Sequence, residues 1–169
     1  SHPSGISKST YEKIAKSSQQ KGFKLILDTS ASFVPELLKF HPYLIKPNDE
    51  ELASWFGLKD VSLEQIKEYG NKLLQQGAQN VLVSLGAKGA ILITPTENIH
   101  VNAPKGNVVN TACAGDTLLA TFVGCQIQGM SKEDSLIKAV AAGTSTAFRP
   151  GLTDFSDVPI LIKQIKRLY

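Results

Sequence analysis

Residues 110–122, NTACAGDTLLATF, set one carboxylate, Asp116, behind a run of very small residues and ahead of an apolar helical stretch. A carboxylate at a helix start has two readings. It can cap the helix, because unpaired N–H groups and the helix dipole favour negative charge there. Alternatively, Ala114 and Gly115 let an anionic ligand approach the backbone, and Asp116 faces that ligand as a base. In the second reading the turn aims several amides at one spot where developing negative charge is held. Asp116 would then lie within reach of an attacking hydroxyl and could accept its proton. Phosphoryl transfer suits this arrangement, since its catalysis is largely positioning and charge stabilisation.

Two other clusters follow apolar, strand-like runs. In KPNDEE, Asn48 and Glu51 stand three apart at a helix start and share one side of it, a spacing suited to holding the waters of a Mg²⁺ ion. The alternative is a plain cap at Asn48 with acids complementing the dipole. In SLGAKG, Ser84, Gly86 and Gly89 offer a hydroxyl and close backbone approach to phosphate, or else a turn that uses glycine for positive φ. The spacing is neither that of a P-loop nor G-x-G-x-x-G. Cys113 lies where a thiol would be activated, yet no histidine accompanies it in sequence, so a buried small residue is expected there. Trp55 and Phe56 share helical spacing with Leu52 and read as core, whereas Asp28 ends a strand and either faces a site or caps the next turn.

The elements that would position these residues alternate. Ser9 and Glu12 have capping-box spacing and open a helix that stops near Gly22. Residues 23–28 read as a buried strand, 34–40 as a brief helix, 43–48 as a strand ended by Pro47, and 49–57 as a helix. Ser62 and Gln65 open another helix, stopped at Gly77. Strands follow in NVLVSLG, GAILITP and NIHVNA, then helices through about Gln128 and in SKEDSLIKAVAAGTSTAF, and an amphipathic helix in SDVPILIKQIKRLY closes the chain. The pattern predicts an α/β fold with a mainly parallel sheet flanked by helices on both faces, and ligands at the carboxyl ends of its strands. With no linker-like tract, residues 1–169 read as one domain.

Composition narrows the classes further. A hydrophobic fraction of 42% with 20% charged residues is that of a globular chain able to bury a core. A net charge of +3 without a basic block gives nucleic acid no electrostatic support, and no apolar run reaches membrane-span length. His2, His41 and His100 fall in no metal-ligand spacing. Cys113 and Cys125 are expected as free thiols in a reducing, cytoplasmic setting. The chain opens without an initiator Met and reads like the middle of a protein.

Taken in order, KPNDEEL, VSLGAKGAIL and VVNTACAGDTLLATF resemble the PfkB (ribokinase-like) carbohydrate kinases, in their asparagine-x-x-glutamate motif, glycine loop and GAGD signature. PSGIS, LILDTS and YLIKPNDEEL look most like the branch of 1-phosphofructokinase and tagatose-6-phosphate kinase. The resemblance implies a ribokinase-like three-layer sandwich and ATP- and Mg²⁺-dependent phosphorylation of fructose 1-phosphate or tagatose 6-phosphate to a bisphosphate. It makes Asp116 the catalytic base and the amides of Ala114, Gly115 and Asp116 the anion hole. It places Asn48 and Glu51 around Mg²⁺ through water, Ser84, Gly86 and Gly89 along ATP, and Gly143 beside the adenine. It implies ATP and a sugar phosphate as partners, neither nucleic acid nor membrane, and leaves room for a homodimer.

Two departures matter. Cys113 occupies the signature's first glycine and Thr121 a later small position, whereas Asn110, at a position often held by Asp, weighs less because other members also vary there. If that first glycine needs positive φ, a cysteine strains the turn by about 1–2 kcal/mol. The family's usual length makes this chain the C-terminal part of the kinase domain, with the N-terminal part and lid absent. Two alternatives stay open: a sugar or nucleoside kinase of the same fold, and a catalytically silent relative that senses nucleotide or sugar phosphate.

Overall fold

A computed structural model describes residues 7–168. His2 and residues 3–6 of the PSGIS stretch lie outside the described residues, as does Tyr169 at the end of the expected closing helix. Among the described residues the order is α1 (Lys8–Lys21), β1 (Ile26–Leu27), α2 (Val34–Leu37), β2 (Leu44–Ile45), α3 (Asp49–Trp55), α4 (Leu63–Gln75), β3 (Val81–Ser84), β4 (Ala90–Ile93), β5 (Asn98–Val101), α5 (Ala114–Ile127), α6 (Lys132–Ala147), α7 (Val158–Ile162) and β6 (Arg167–Leu168). The six strands form one sheet in sequence order. The chain divides into two compact units, one running to Val83 with Leu92–Asn98, the other comprising Ser84–Ile91 and the residues from Ile99 onward.

In the first unit, β1 pairs with β2 and β2 with β3, both parallel, in the register Ile26 to Leu44, Leu27 to Ile45 and Ile45 to Val81. Helical crossovers make this parallel pairing reachable. The interior strands are apolar throughout because both faces are covered: Leu44, Ile45, Val81, Leu82 and Val83 are fully buried, as are Leu37, Leu52 and Leu73 of the helices. Each such side chain contributes about 1.5–3 kcal/mol. Helix α1 stops at Gly22, which adopts φ 70° while the Phe23 N–H bonds the Ser18 carbonyl, a Schellman arrangement. Its N-cap is Ser7, not Ser9: Ser9 lies inside the helix, and the Ser9–Glu12 spacing forms no capping box. Ser62 and Gln65 do form one, as their spacing predicts. Trp55 and Phe56 are half-buried and not core; Phe56 stacks on Tyr69 at 4.2 Å between centroids.

The second unit holds the α5 and α6 helices and the antiparallel pair β5–β6, in register His100 to Leu168 and Val101 to Arg167. The expected closing helix is cut to α7, and the chain end returns as a strand. Strands β3 and β4 are joined by a turn closed by the Leu85 N–H to the Gly89 carbonyl (2.8 Å), and β4 and β5 by a turn closed by the Thr94 N–H to the Glu97 carbonyl (3.0 Å). Such turns are too short for the crossover a parallel pair requires. Parallel pairing is therefore found among β1, β2 and β3, and the later strands turn back on their neighbours.

Candidate functional site

At the carboxyl ends of β1 and β2, Asp28 and Lys46 form an ion pair at 3.1 Å. The Lys46 side chain is only 8% exposed, so its ammonium depends on this carboxylate for compensation. Asp28 thus meets Lys46, and among the described residues no hydrogen bond joining it to a following turn is found. Pro47 ends the strand, and Asn48 then caps α3: its Oδ1 accepts the Glu51 N–H (2.7 Å) and its own N–H donates to Glu51 Oε2 (3.0 Å). The structure brings Asn48 and Glu51 together as a complete capping box. Glu51 Oε1 keeps its acceptor capacity, with no protein partner among the described residues.

In the second unit, Ser84 ends β3 and residues 86–88 make a single 3₁₀ turn. Gly86 and Gly89 have φ 55° and 97°. A Cβ on Gly89 would lie 1.9 Å from the Val101 carbonyl oxygen, so that glycine is required by the turn itself. Gly86 faces open space, which leaves its backbone approachable.

The 110–116 turn is built by local and tertiary hydrogen bonds. Asn110 Oδ1 accepts the Ala112 N–H (2.9 Å), and the Ala114 N–H donates to the Thr111 carbonyl (3.2 Å). Cys113 is the N-cap of α5 with φ 60° and ψ 5°, left-handed, and its side chain forms no cap. Its thiol is exposed, contrary to the buried position expected for it. Asp116 is the third helical residue and exposed, and its side chain makes no hydrogen bond among the described residues. It does not act as a side-chain cap. Of the three amides expected to form an anion hole, that of Ala114 is spent inside the turn, whereas those of Gly115 and Asp116 have no acceptor among the described residues.

Gly143 belongs to this neighbourhood: it is buried on α6, and a Cβ there would sit 2.9 Å from the Ala114 carbonyl oxygen and 3.2 Å from Leu118 Cβ. Packing accounts for its missing side chain. Sequence reasoning missed three contributors: Lys46, whose signal was a lysine directly after a buried strand, and Thr117 and Thr146, whose hydroxyls meet at 3.1 Å across α5 and α6. Nothing local marks the threonine pair. After α6, hydrogen bonds from the Ser156 side chain and backbone, aided by the Arg149 guanidinium, hold the Asp154 carboxyl well below the usual carboxylate range. Among the described residues no helix is long and apolar enough to cross a membrane.

The fold is an α/β sandwich of the ribokinase-like class. A model described as pfkB family carbohydrate kinase matches residues 1–159. D-tagatose-1-phosphate kinase of Bacillus licheniformis is 43% identical over 165 residues, 97% of this chain and 54% of that protein. The 1-phosphofructokinase of Bacillus subtilis is 36% identical over 164 residues, 97% of this chain and 54% of that protein. Among solved structures, a Staphylococcus aureus protein assigned as a phosphofructokinase superposes with a TM-score of 0.91 at 37% identity, covering 99% of this chain and 55% of its own. The chain belongs to the pfkB family of carbohydrate kinases. It spans about half the length of the curated relatives it matches.

Proposed function

We propose that the protein is an ATP-dependent kinase of a ketohexose phosphate, with Asp116 as the base. The observation that carries this reading is the turn entering α5, where an exposed carboxylate stands beside two amides, none of the three with a partner among the described residues. The acceptor hydroxyl oxygen forms a bond to the γ-phosphorus of ATP as the bond from phosphorus to the β–γ bridging oxygen breaks. The hydroxyl proton passes to Asp116, ADP departs, and a ketohexose bisphosphate is left. The Gly115 and Asp116 N–H groups stabilise charge on the migrating phosphoryl group, in the manner of a helix N-terminus binding an anion. Ser84, Gly86 and Gly89 line the nucleotide, and Gly143 supports the turn beneath it.

Asn48 and Glu51 fit a water-mediated role towards Mg²⁺, because Glu51 Oε1 has no partner among the described residues. Among the described residues no group of three or more His, Cys, Asp or Glu side chains could hold the ion directly. Mg²⁺ suits such a site, since it retains several waters and binds through one or two carboxylates and substrate phosphates. When bound it would neutralise charge on the phosphate oxygens.

The relatives are named for 1-phosphates, so we place fructose 1-phosphate and tagatose 1-phosphate ahead of the tagatose 6-phosphate that the motifs suggested. With about half of each relative outside the match, acceptor contacts are expected largely beyond this chain, in the rest of the same kinase domain. We place the protein in the cytoplasm, where Cys113 and Cys125 remain thiols. The test is ATP consumption by the full-length protein with Mg²⁺ across those three acceptors, fructose 6-phosphate, fructose, ribose and adenosine. Turnover of one ketohexose phosphate is expected, and Asp116→Asn should lower kcat about 10²- to 10⁴-fold with ATP binding nearly unchanged. Selective use of ribose or adenosine would replace the acceptor class. Cys113 in a left-handed backbone favours a second reading, a silent sensor: it predicts ATP binding with no turnover of any acceptor and activity regained in Cys113→Gly.

A further inference from the structure

The last two turns of α6 grip the whole segment that carries Asp116. The Ala147 carbonyl, at the end of α6 and without a helical partner, accepts the N–H groups of both Val109 (2.8 Å) and Asn110 (3.1 Å) where that segment begins. Gly143, one turn earlier, lets the Ala114 carbonyl and Leu118 come down onto α6. Between these contacts, Thr146 is 2% exposed and its hydroxyl is used twice. It donates to Thr117 Oγ1 (3.1 Å) and accepts the Thr153 N–H (3.2 Å) from the loop after α6. A hydroxyl so buried and doubly engaged has one favoured orientation, because any other leaves a polar group unpaired.

Thr117 directly follows Asp116, and its own N–H closes the first turn of α5 on the Cys113 carbonyl (2.9 Å). Successive helical residues are separated by about 100° around the axis. Fixing the Thr117 side chain to α6 therefore fixes the rotation of the first turn, and with it the direction in which Asp116 and the free Gly115 and Asp116 amides point. We propose that the Thr146–Thr117 hydroxyl bridge is a positioning pair for Asp116 and its amides; the link to catalysis rests on the kinase reading above. Neither threonine touches a reacting atom in this role.

Thr117→Val and Thr117→Ser in the full-length protein separate positioning from general stability, since both leave the Thr146 bond to Thr153 in place. The valine variant removes the bridge, and the serine variant keeps the hydroxyl. For valine we expect kcat to fall about tenfold or more with KM for ATP within twofold of wild type, and exchange of the Ala114 amide, which is bonded to the Thr111 carbonyl in the same turn, to quicken about tenfold. Serine should restore both. Wild-type kcat and exchange in the valine variant would overturn the proposal, as would a serine variant no better than valine. Should the wild-type protein phosphorylate no acceptor, the kinase reading fails by itself, and the exchange comparison still decides whether the bridge orders the turn.

Discussion

Cys113 stands at φ 60°, a backbone region that costs a residue with a Cβ about 1–2 kcal/mol relative to glycine. No side-chain cap offsets that cost, since the thiol is exposed and forms no cap bond. Cys113→Gly should therefore raise stability by about 1 kcal/mol, less the glycine's extra unfolded-state entropy, read as a higher denaturant midpoint with unchanged slope. A lower midpoint would mean that the thiol makes a stabilising contribution after all. The strain is legible in the residues alone, because the signature itself names a glycine there and glycine is the residue that adopts left-handed backbone freely. The exposure of Cys113 is not, since a small apolar residue beside an apolar helix reads as core. Asp116 shows the same division. Its place at the helix start can be read from its neighbours, but that its carboxylate has no partner among the described residues emerges only from the hydrogen bonds of the folded turn.

At the scale of elements, α5 and α6 depend on a close approach that glycine permits. A methyl at Gly143 would press on the Ala114 carbonyl oxygen at 2.9 Å, a backbone atom that cannot swing aside. Gly143→Ala gains about 1 kcal/mol of helix propensity, yet overpacking of this kind costs about 1–3 kcal/mol, so a net loss of about 1 kcal/mol is expected. Thermal unfolding reads the loss, and nucleotide turnover should fall with it because the displaced carbonyl belongs to the Asp116 turn. A stability gain would show that the helices can part without cost. Elements whose causes are local are legible in the sequence: the Gly22 stop, the Ser62–Gln65 box and the Asn48–Glu51 box each depend on residues within one turn. Elements whose causes are distant are not. The β6 strand exists through its antiparallel partner β5, so residues with helical periodicity at the chain end read as helix yet fold as strand. The Lys46–Asp28 pair likewise joins two strands and leaves no trace in either alone.

For the whole molecule, the division of labour along the sequence carries the last prediction. The features assigned to nucleotide handling lie within these 169 residues, from Asn48 through the Ser84–Gly89 loop to Asp116. The D-tagatose-1-phosphate kinase and 1-phosphofructokinase that the chain resembles are each matched over 54% of their length. Affinity for an acceptor needs groups that surround it, and the turn leading to Asp116, Thr111 to Gly115, is built of small side chains and backbone amides. They can hold phosphate oxygens, but offer little to a sugar's hydroxyls. The 169-residue chain prepared alone is therefore expected to bind ATP weakly and to produce no bisphosphate, whereas the full-length protein should do both. Calorimetric titration with ATP and a coupled assay for ADP, run side by side on the two forms, would show this. Bisphosphate formation by the chain alone would move the acceptor contacts into these residues. Absence of ATP binding by both forms would remove the nucleotide role from the Asp116 turn.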